Sequence, residues 1–283
     1  MLRRSGVTLV ELLVALSLGG LVLAVAVGSM LRQYRGARWV EGLTGAELQL
    51  RPTLRLVADE LEPLDAAAGD LAAGQVSDTA IELRAVIAAS LTCDSSATVT
   101  LVPETGAAPP LGGLARPVTA GDSAWLYRDS LGWRGHAVIS ASRTTTACGV
   151  PTSTPGPAVN LALDAPADVP AGTPVRVTRW ERWVVYRAGD GRWYLGVRDW
   201  SPAASRFLAV QPVAGPFVRR VPSGARTGFR YFDATDAELD PDGTNERAIA
   251  RVRITTLSAV PAATTDSVRR DSAEAVLSRR GTS

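Results

Sequence analysis

Met1-Leu-Arg-Arg-Ser-Gly6-Val-Thr-Leu-Val-Glu11 opens the chain, and from Leu12 to Leu31 no residue carries a charge, a run of 20. At ~1.5 Å per residue such a run spans about 30 Å, the hydrocarbon thickness of a bilayer. Arg3 and Arg4 precede it and Arg32, Arg35 and Arg38 follow, so the flanking charge sets no orientation. An N-terminal apolar run of this kind reads as a cleavable secretory signal, with Ala26-Val-Gly28 at its cleavage site, or as a plain membrane anchor. Glu11 fits neither. A carboxylate inside an apolar membrane helix costs ~2.5–3.5 kcal/mol near the bilayer centre, and neither a signal nor an anchor has a use for that cost.

Working outward, the apolar pattern continues past the run. Trp39, Leu43, Ala46, Leu50, Leu54, Val57 and Leu61 recur three or four residues apart, one stripe of an amphipathic helix. The spacing predicts nearly continuous helix from Val7 to Glu62, kinked at Pro52 and ended by Pro63. From Thr79 the period changes toward two. Strands are expected at 80–87, 98–102, 123–127 and 137–141, with loops at 103–117 and 147–157. Val175–Arg187 and Arg192–Val197 form the clearest hairpin, with Asp190-Gly191 in its turn. Gly228–Phe232 pairs with 248–255 across an acidic loop, and 273–278 supplies a last strand after the polar segment 262–272.

Gly6-Val7-Thr8-Leu9-Val10-Glu11 resembles the prepilin processing site of type IV pilins and type II secretion pseudopilins. In that family a short basic leader ends in Gly, a prepilin peptidase cuts after it, and the new N-terminus is methylated. The resemblance implies cleavage between Gly6 and Val7, methylation of Val7, and filament assembly through Thr8 and Glu11. Val7 departs mildly from the commoner Phe or Met. The physics agrees: cleavage places a cationic amine at Val7, and such an amine on a neighbouring subunit neutralises Glu11 only at the right axial register. The later order of strands resembles PilW-like minor pilins and J-type minor pseudopilins, through Val-Val-Tyr-Arg, Phe-Arg-Tyr-Phe-Asp-Ala and the alternating Val/Ile and Arg of the following strand.

The resemblance implies an α+β, pilin-like fold: a leader (residues 1–6), a long helix (7–62, of which 7–31 is the transmembrane and filament-core part) packed on an antiparallel sheet, and a β-rich globular domain (63–283). It implies a subunit in the inner membrane with that domain outside the cytoplasm, and prepilin peptidase, other pilins or pseudopilins and membrane lipid as partners. The competing reading is a secreted or anchored β-rich binding domain with no filament role. In a domain outside the cytoplasm a bridge between Cys93 and Cys148 is expected, with two free thiols as the alternative.

Composition argues against enzymes. One His (His136) and two Cys leave three of the roughly four ligands a zinc site takes, and no nucleotide-binding or hydrolase motif occurs. No cofactor, metal or small-molecule substrate is expected. All 30 basic residues are Arg; losing the leader leaves 28 against 28 acidic side chains, a balance that disfavours nucleic acid as a partner. The Arg/Trp hairpin at 176–200 reads either as a local cation–aromatic patch or as cover for a sheet. The acidic loop fails the EF-hand pattern, because Ile249 stands where the bidentate acid belongs. It reads as a solvated hairpin loop, with a different calcium loop on Asp236, Asp240, Asp242 and Glu246 as the alternative.

Overall fold

The computed structural model describes residues 51–95, 98–102, 116–129, 132–146, 156–241, 243–260 and 267–277, together with isolated helical positions 9, 23, 27, 29, 30 and 33. Among the described residues one α-helix, α1 (residues 51–61), leads into a predominantly β body. Its strands are β1 (Ala80–Ser95), β2 (Thr98–Leu101), β3 (Ser123–Arg128), β4 (Gly132–Thr146), β5 (Gly156–Leu163), β6 (Pro174–Arg187) and β7 (Trp193–Ser201). They continue with β8 (Arg206–Phe207), β9 (Gln211–Phe217), β10 (Gly228–Phe232), β11 (Glu238–Leu239), β12 (Arg251–Val260) and β13 (Ser267–Val276).

The expected α+β fold, a long helix packed on an antiparallel sheet, is therefore corrected. What the described residues form is dominated by strands, with a nine-stranded and a four-stranded sheet. The physical reason is the reach of the alternating pattern. β1, β4 and β6 run 16, 15 and 14 residues, well past the stretches the sequence marked, because each changes neighbours partway and stays paired along its whole length. Residues 7–50 of the expected helix lie outside the described residues apart from the isolated positions, while Pro52 lies within α1.

Antiparallel pairing joins β1 to β2, β2 to β5, β5 to β4, β4 to β3, β3 to β6 and β6 back to β1. These six strands close a ring. β1 spends Ala80–Leu91 on β6 and then turns Thr92–Ser95 to β2. Ring closure removes free edges, and inward side chains fill the interior. Ile87, Val99, Leu101, Leu126, Val138, Leu161, Val175 and Val177 make this first core.

The second core lies at the other end of the same two long strands. Ile81, Leu83 and Ala85 of β1 and Trp183 and Val185 of β6 meet Leu54, Val57 and Leu61 of α1 there. Phe229 and Tyr231 of β10 and Val252 and Ile254 of β12 close it from the four-stranded sheet, ordered β11-β10-β12-β13. Tyr231 carries its hydroxyl inward and donates to the Ser77 carbonyl at 2.8 Å, so the buried polar tip is satisfied.

A charged seam separates the cores. On the inward face of β6, Val175 and Val177 belong to the ring and Trp183 and Val185 to the second core, with Arg179 and Glu181 between. Glu181 stands opposite Asp199 of β7, two like charges that would repel. Arg116 bridges both, donating to Asp199 at 2.6 Å and to Glu181. Arg179 makes a two-pronged contact with fully buried Asp122 at 2.7 and 2.8 Å.

Candidate functional site

Gly6, Val7, Thr8 and Glu11 lie outside the described residues, so the processing and assembly determinants are read from sequence alone. The described positions among them are telling in another way. Leu9, Leu23 and Met30 are helical and 76%, 65% and 73% exposed. Among the described residues no helix is long and apolar enough to cross a membrane.

Cys93 sits inside β1, which runs past the expected strand 80–87 to Ser95, and it is buried and disulfide-bonded; the loop expected between 87 and 98 to carry it is corrected. The strand continues through it because pairing passes from β6, which ends at Leu91, to β2, which takes Thr92 and Asp94 on either side of a register shift. Cys148, the chain's other cysteine, lies outside the described residues.

The acidic loop after β10 does not gather its carboxylates. Asp233 folds it: one carboxylate oxygen accepts from the backbone N–H groups of Thr235 and Ala237 and from the Thr235 hydroxyl, at 2.8, 3.0 and 2.7 Å. These bonds hold the Asp233 carboxyl below the usual carboxylate range. Asp236 has φ +67° and faces Arg251 at 3.0 Å. Glu246 is turned away and buried in a short 3₁₀ turn (Glu246–Ala248), where it accepts from the Gly74 N–H at 3.0 Å. Asp240 offers its carbonyl to the Asn245 side chain at 2.9 Å, and Asp242 lies outside the described residues. Among the described residues no three His, Cys, Asp or Glu side chains are placed to hold a metal ion.

The Arg/Trp hairpin is more extensive than its sequence suggested. On the outward face of β1, β3, β4 and β6, Arg84 lies 4.8 and 4.9 Å from the ring centres of Trp180 and Trp125. Arg176 lies 5.4 and 5.1 Å from Trp125 and Trp133, and Tyr127 meets Trp133 edge-on at 5.6 Å. Cations and rings alternate in one stack. The missed members, Arg84, Trp125, Tyr127 and Trp133, come from other strands; only the pairing of β1 and β3 with β6, and of β4 with β3, brings them together. Gly135 leaves room beside them: a Cβ there would stand 3.1 Å from the Trp125 ring and press on it. Burial pushes the Arg84 guanidinium down from its ordinary value, while nearby Asp70 opposes the shift. Arg179, Arg182 and Arg187 of β6 likewise have partners within the chain, Asp122, Glu82 and the Gly191 carbonyl. The geometry is that of a sheet cover whose charges are already engaged.

His136 of β4 pairs with Asp164 at 3.4 Å. The cleft of about 370 Å³ at the ring's end is lined by Tyr127, Arg128, Asp129, Asp168 and the 169–174 loop, and Arg128 there donates to the Ala167 carbonyl at 3.3 Å.

Against this geometry stand the comparisons with known proteins. Residues 1–27 match the family described as the prokaryotic N-terminal methylation motif. No curated protein matches the chain, and no solved structure does. The match supports a type IV prepilin-like protein. Such a motif implies processing by a prepilin peptidase, assembly with other pilins, and a membrane-anchored, exported protein.

Proposed function

We propose that the chain is a minor type IV pilin-like subunit with a structural role, resembling the PilW and J-type pseudopilin group. Prepilin peptidase cuts between Gly6 and Val7, Val7 is methylated, and the uncharged run through Leu31 anchors the subunit in the inner membrane. The subunit then enters a type IV pilus or a type II secretion pseudopilus. There it helps to initiate or cap the filament, and its β-rich part contacts other minor subunits outside the cytoplasm. It is the substrate of an enzyme and not one itself, and it takes no cofactor.

The observation that carries this reading is the methylation-motif match over residues 1–27, with Gly6 and Glu11 in their places ahead of twenty uncharged residues. The exposed helical Leu9, Leu23 and Met30 support it, because a filament core or a bilayer would cover them. Glu11 has a use only in such a setting, as the partner of a neighbouring subunit's N-terminal amine.

The test is the mature N-terminus, by mass spectrometry of protein made together with a prepilin peptidase. The expected product begins at methylated Val7, and Gly6→Val leaves the leader in place. Glu11→Gln should be processed normally yet fail to enter filaments. A start near residue 29, or an intact Met1, would replace the reading with a secreted or anchored β-rich binding domain.

A further inference from the structure

We propose that β13 is a self-association edge, on which a second copy of the chain adds its own β13 antiparallel about a two-fold axis at Ser272. The inference rests on the sheet edge and stands independently of the filament reading.

The four-stranded sheet ends in β13, which pairs only with β12 among the described strands, in unbroken register from Arg251↔Val276 to Val260↔Ser267. The other edges are blunted. β8 and β11 have two residues each, and β9 carries Pro212 and Pro216. β13 has ten residues and no proline.

The direction of its backbone groups follows from β12. Leu257 uses both backbone groups on the β10 side: its N–H donates to Thr227 Oγ1 at 3.0 Å and its carbonyl accepts from Val218 at 2.7 Å. Alternation along an antiparallel strand then turns the even-numbered residues of β12 toward β13. Register in turn commits the odd-numbered residues of β13 to β12. Leu277 obeys this phase, donating to the Ala250 carbonyl at 2.9 Å. The N–H and carbonyl groups of Arg270, Ser272, Glu274 and Val276 therefore point to the open edge. The side chains of the same four residues are exposed on the outer face, Val276 by 66%.

Only some registers let two such edges hydrogen-bond to each other, because even-numbered residues must face even-numbered residues. Centring on Arg270 sets Arg against Arg, and centring on Glu274 sets Glu against Glu. Centring on residue 271 or 273 pairs no opposite charges. Centring on Ser272 places Arg270 of each copy opposite Glu274 of the other, twice by symmetry, and engages nearly the whole strand. The sequence of the exposed face, Arg-x-Ser-x-Glu, is thus complementary to itself on reversal. Each Glu274 already holds Arg253 and lies 3.6 Å from Arg251, so a second copy's Arg270 would extend an existing ladder of charge across the join.

The experiment uses the full chain, solubilised from membranes in detergent. In Ser272→Cys the two introduced thiols meet at the axis, where opposed Cα atoms about 5.5 Å apart suit a disulfide. A covalent dimer on a non-reducing gel is expected, with Arg206→Cys on exposed β8 as the background control. Arg270→Glu alone and Glu274→Arg alone each set like charges opposite twice and should weaken association about tenfold. Mixing the two variants restores both pairs, so heterodimers should recover wild-type association, a rescue that damage to the fold would not permit. A folded Ser272→Cys protein that stays monomeric or links only to a different protein overturns the proposal. So does association indifferent to Arg270→Glu, or singles that mixing does not rescue.

Discussion

Two cores share β1 and β6 yet are filled differently. Inside the ring the buried side chains are aliphatic, with Leu126, Val138, Leu161, Val175 and Val177 among them and no aromatic ring among the described residues. The second core holds Trp183, Phe217, Phe229 and Tyr231 beside the apolar face of α1. A ring of six strands encloses a narrow space that β-branched residues and Leu fill well. Where a helix and two sheets of different orientation converge, the gaps are wider, and flat aromatic side chains occupy them with large buried area. Along β6 the inward face switches from apolar to charged and back at Arg179 and Glu181, while β1 stays apolar through Leu83, Ala85 and Ile87.

The sharpest way to break this picture is to hollow each core in turn. Phe229→Ala should cost about 3–5 kcal/mol and Leu161→Ala about 2–5 kcal/mol by urea unfolding. Hydrogen exchange then separates the cores: Leu161→Ala should lower protection in β2 and β5 while β10 and β12 keep theirs. Equal loss in both would merge the cores into one cooperative unit.

Next comes the junction where β10 meets the chain entering β1. Gly228 has φ +153°, and a Cβ there would collide with the Asp78 carbonyl, which accepts from the Phe229 N–H at 3.0 Å. Gly228→Ala should cost roughly 2 kcal/mol or more in a thermal or chemical melt. A neutral result would mean that the second sheet does not depend on this close approach.

The seam gives smaller effects. Burial and then the Glu181 charge raise the Glu60 carboxyl above its ordinary 4.5, with Arg116 opposing. Burial raises Glu181 likewise, again against Arg116. The folded protein therefore holds these protons more tightly than the unfolded chain. Their contribution is fully present below about pH 4.5 and is lost as the pH rises through the raised folded values. Glu60→Gln should thus stabilise slightly at neutral pH, by about 0.5 kcal/mol or less, and flatten the acid side of the stability profile. A steeper profile would reverse the assignment.

Local signals account for what could be read without the fold. The methylation motif is contiguous, so Gly6, Val7 and Glu11 declare themselves in six residues. The hairpin of β6 and β7 announces itself through alternation and Asp190-Gly191, and its turn forms as expected, with the Gly191 N–H donating to the Ala188 carbonyl at 2.9 Å. Other strands hide. β5 begins at Gly156-Pro157, inside the stretch 147–157 expected as loop, and β9, with two prolines, bears no strand signal; each is a strand because a neighbour supplies its ladder. The segment 262–272 reads as solvated polar chain, yet β13 starts within it at Ser267, since β12 offers ten residues of backbone to pair.

By itself the amino-acid sequence determined the signals that act within a few residues: Arg3 and Arg4, Gly6 before Val7, Glu11 ahead of the uncharged run, the period of the strands and the tight turns. Tertiary structure alone decided the ring, the two cores and the open edge. Its decisive contacts join residues far apart in the chain, such as Ala80 with Val184 and Arg84 with Trp125. Backbone hydrogen bonding is nearly indifferent to side-chain identity, so which strand pairs with which is settled by the burial they achieve together.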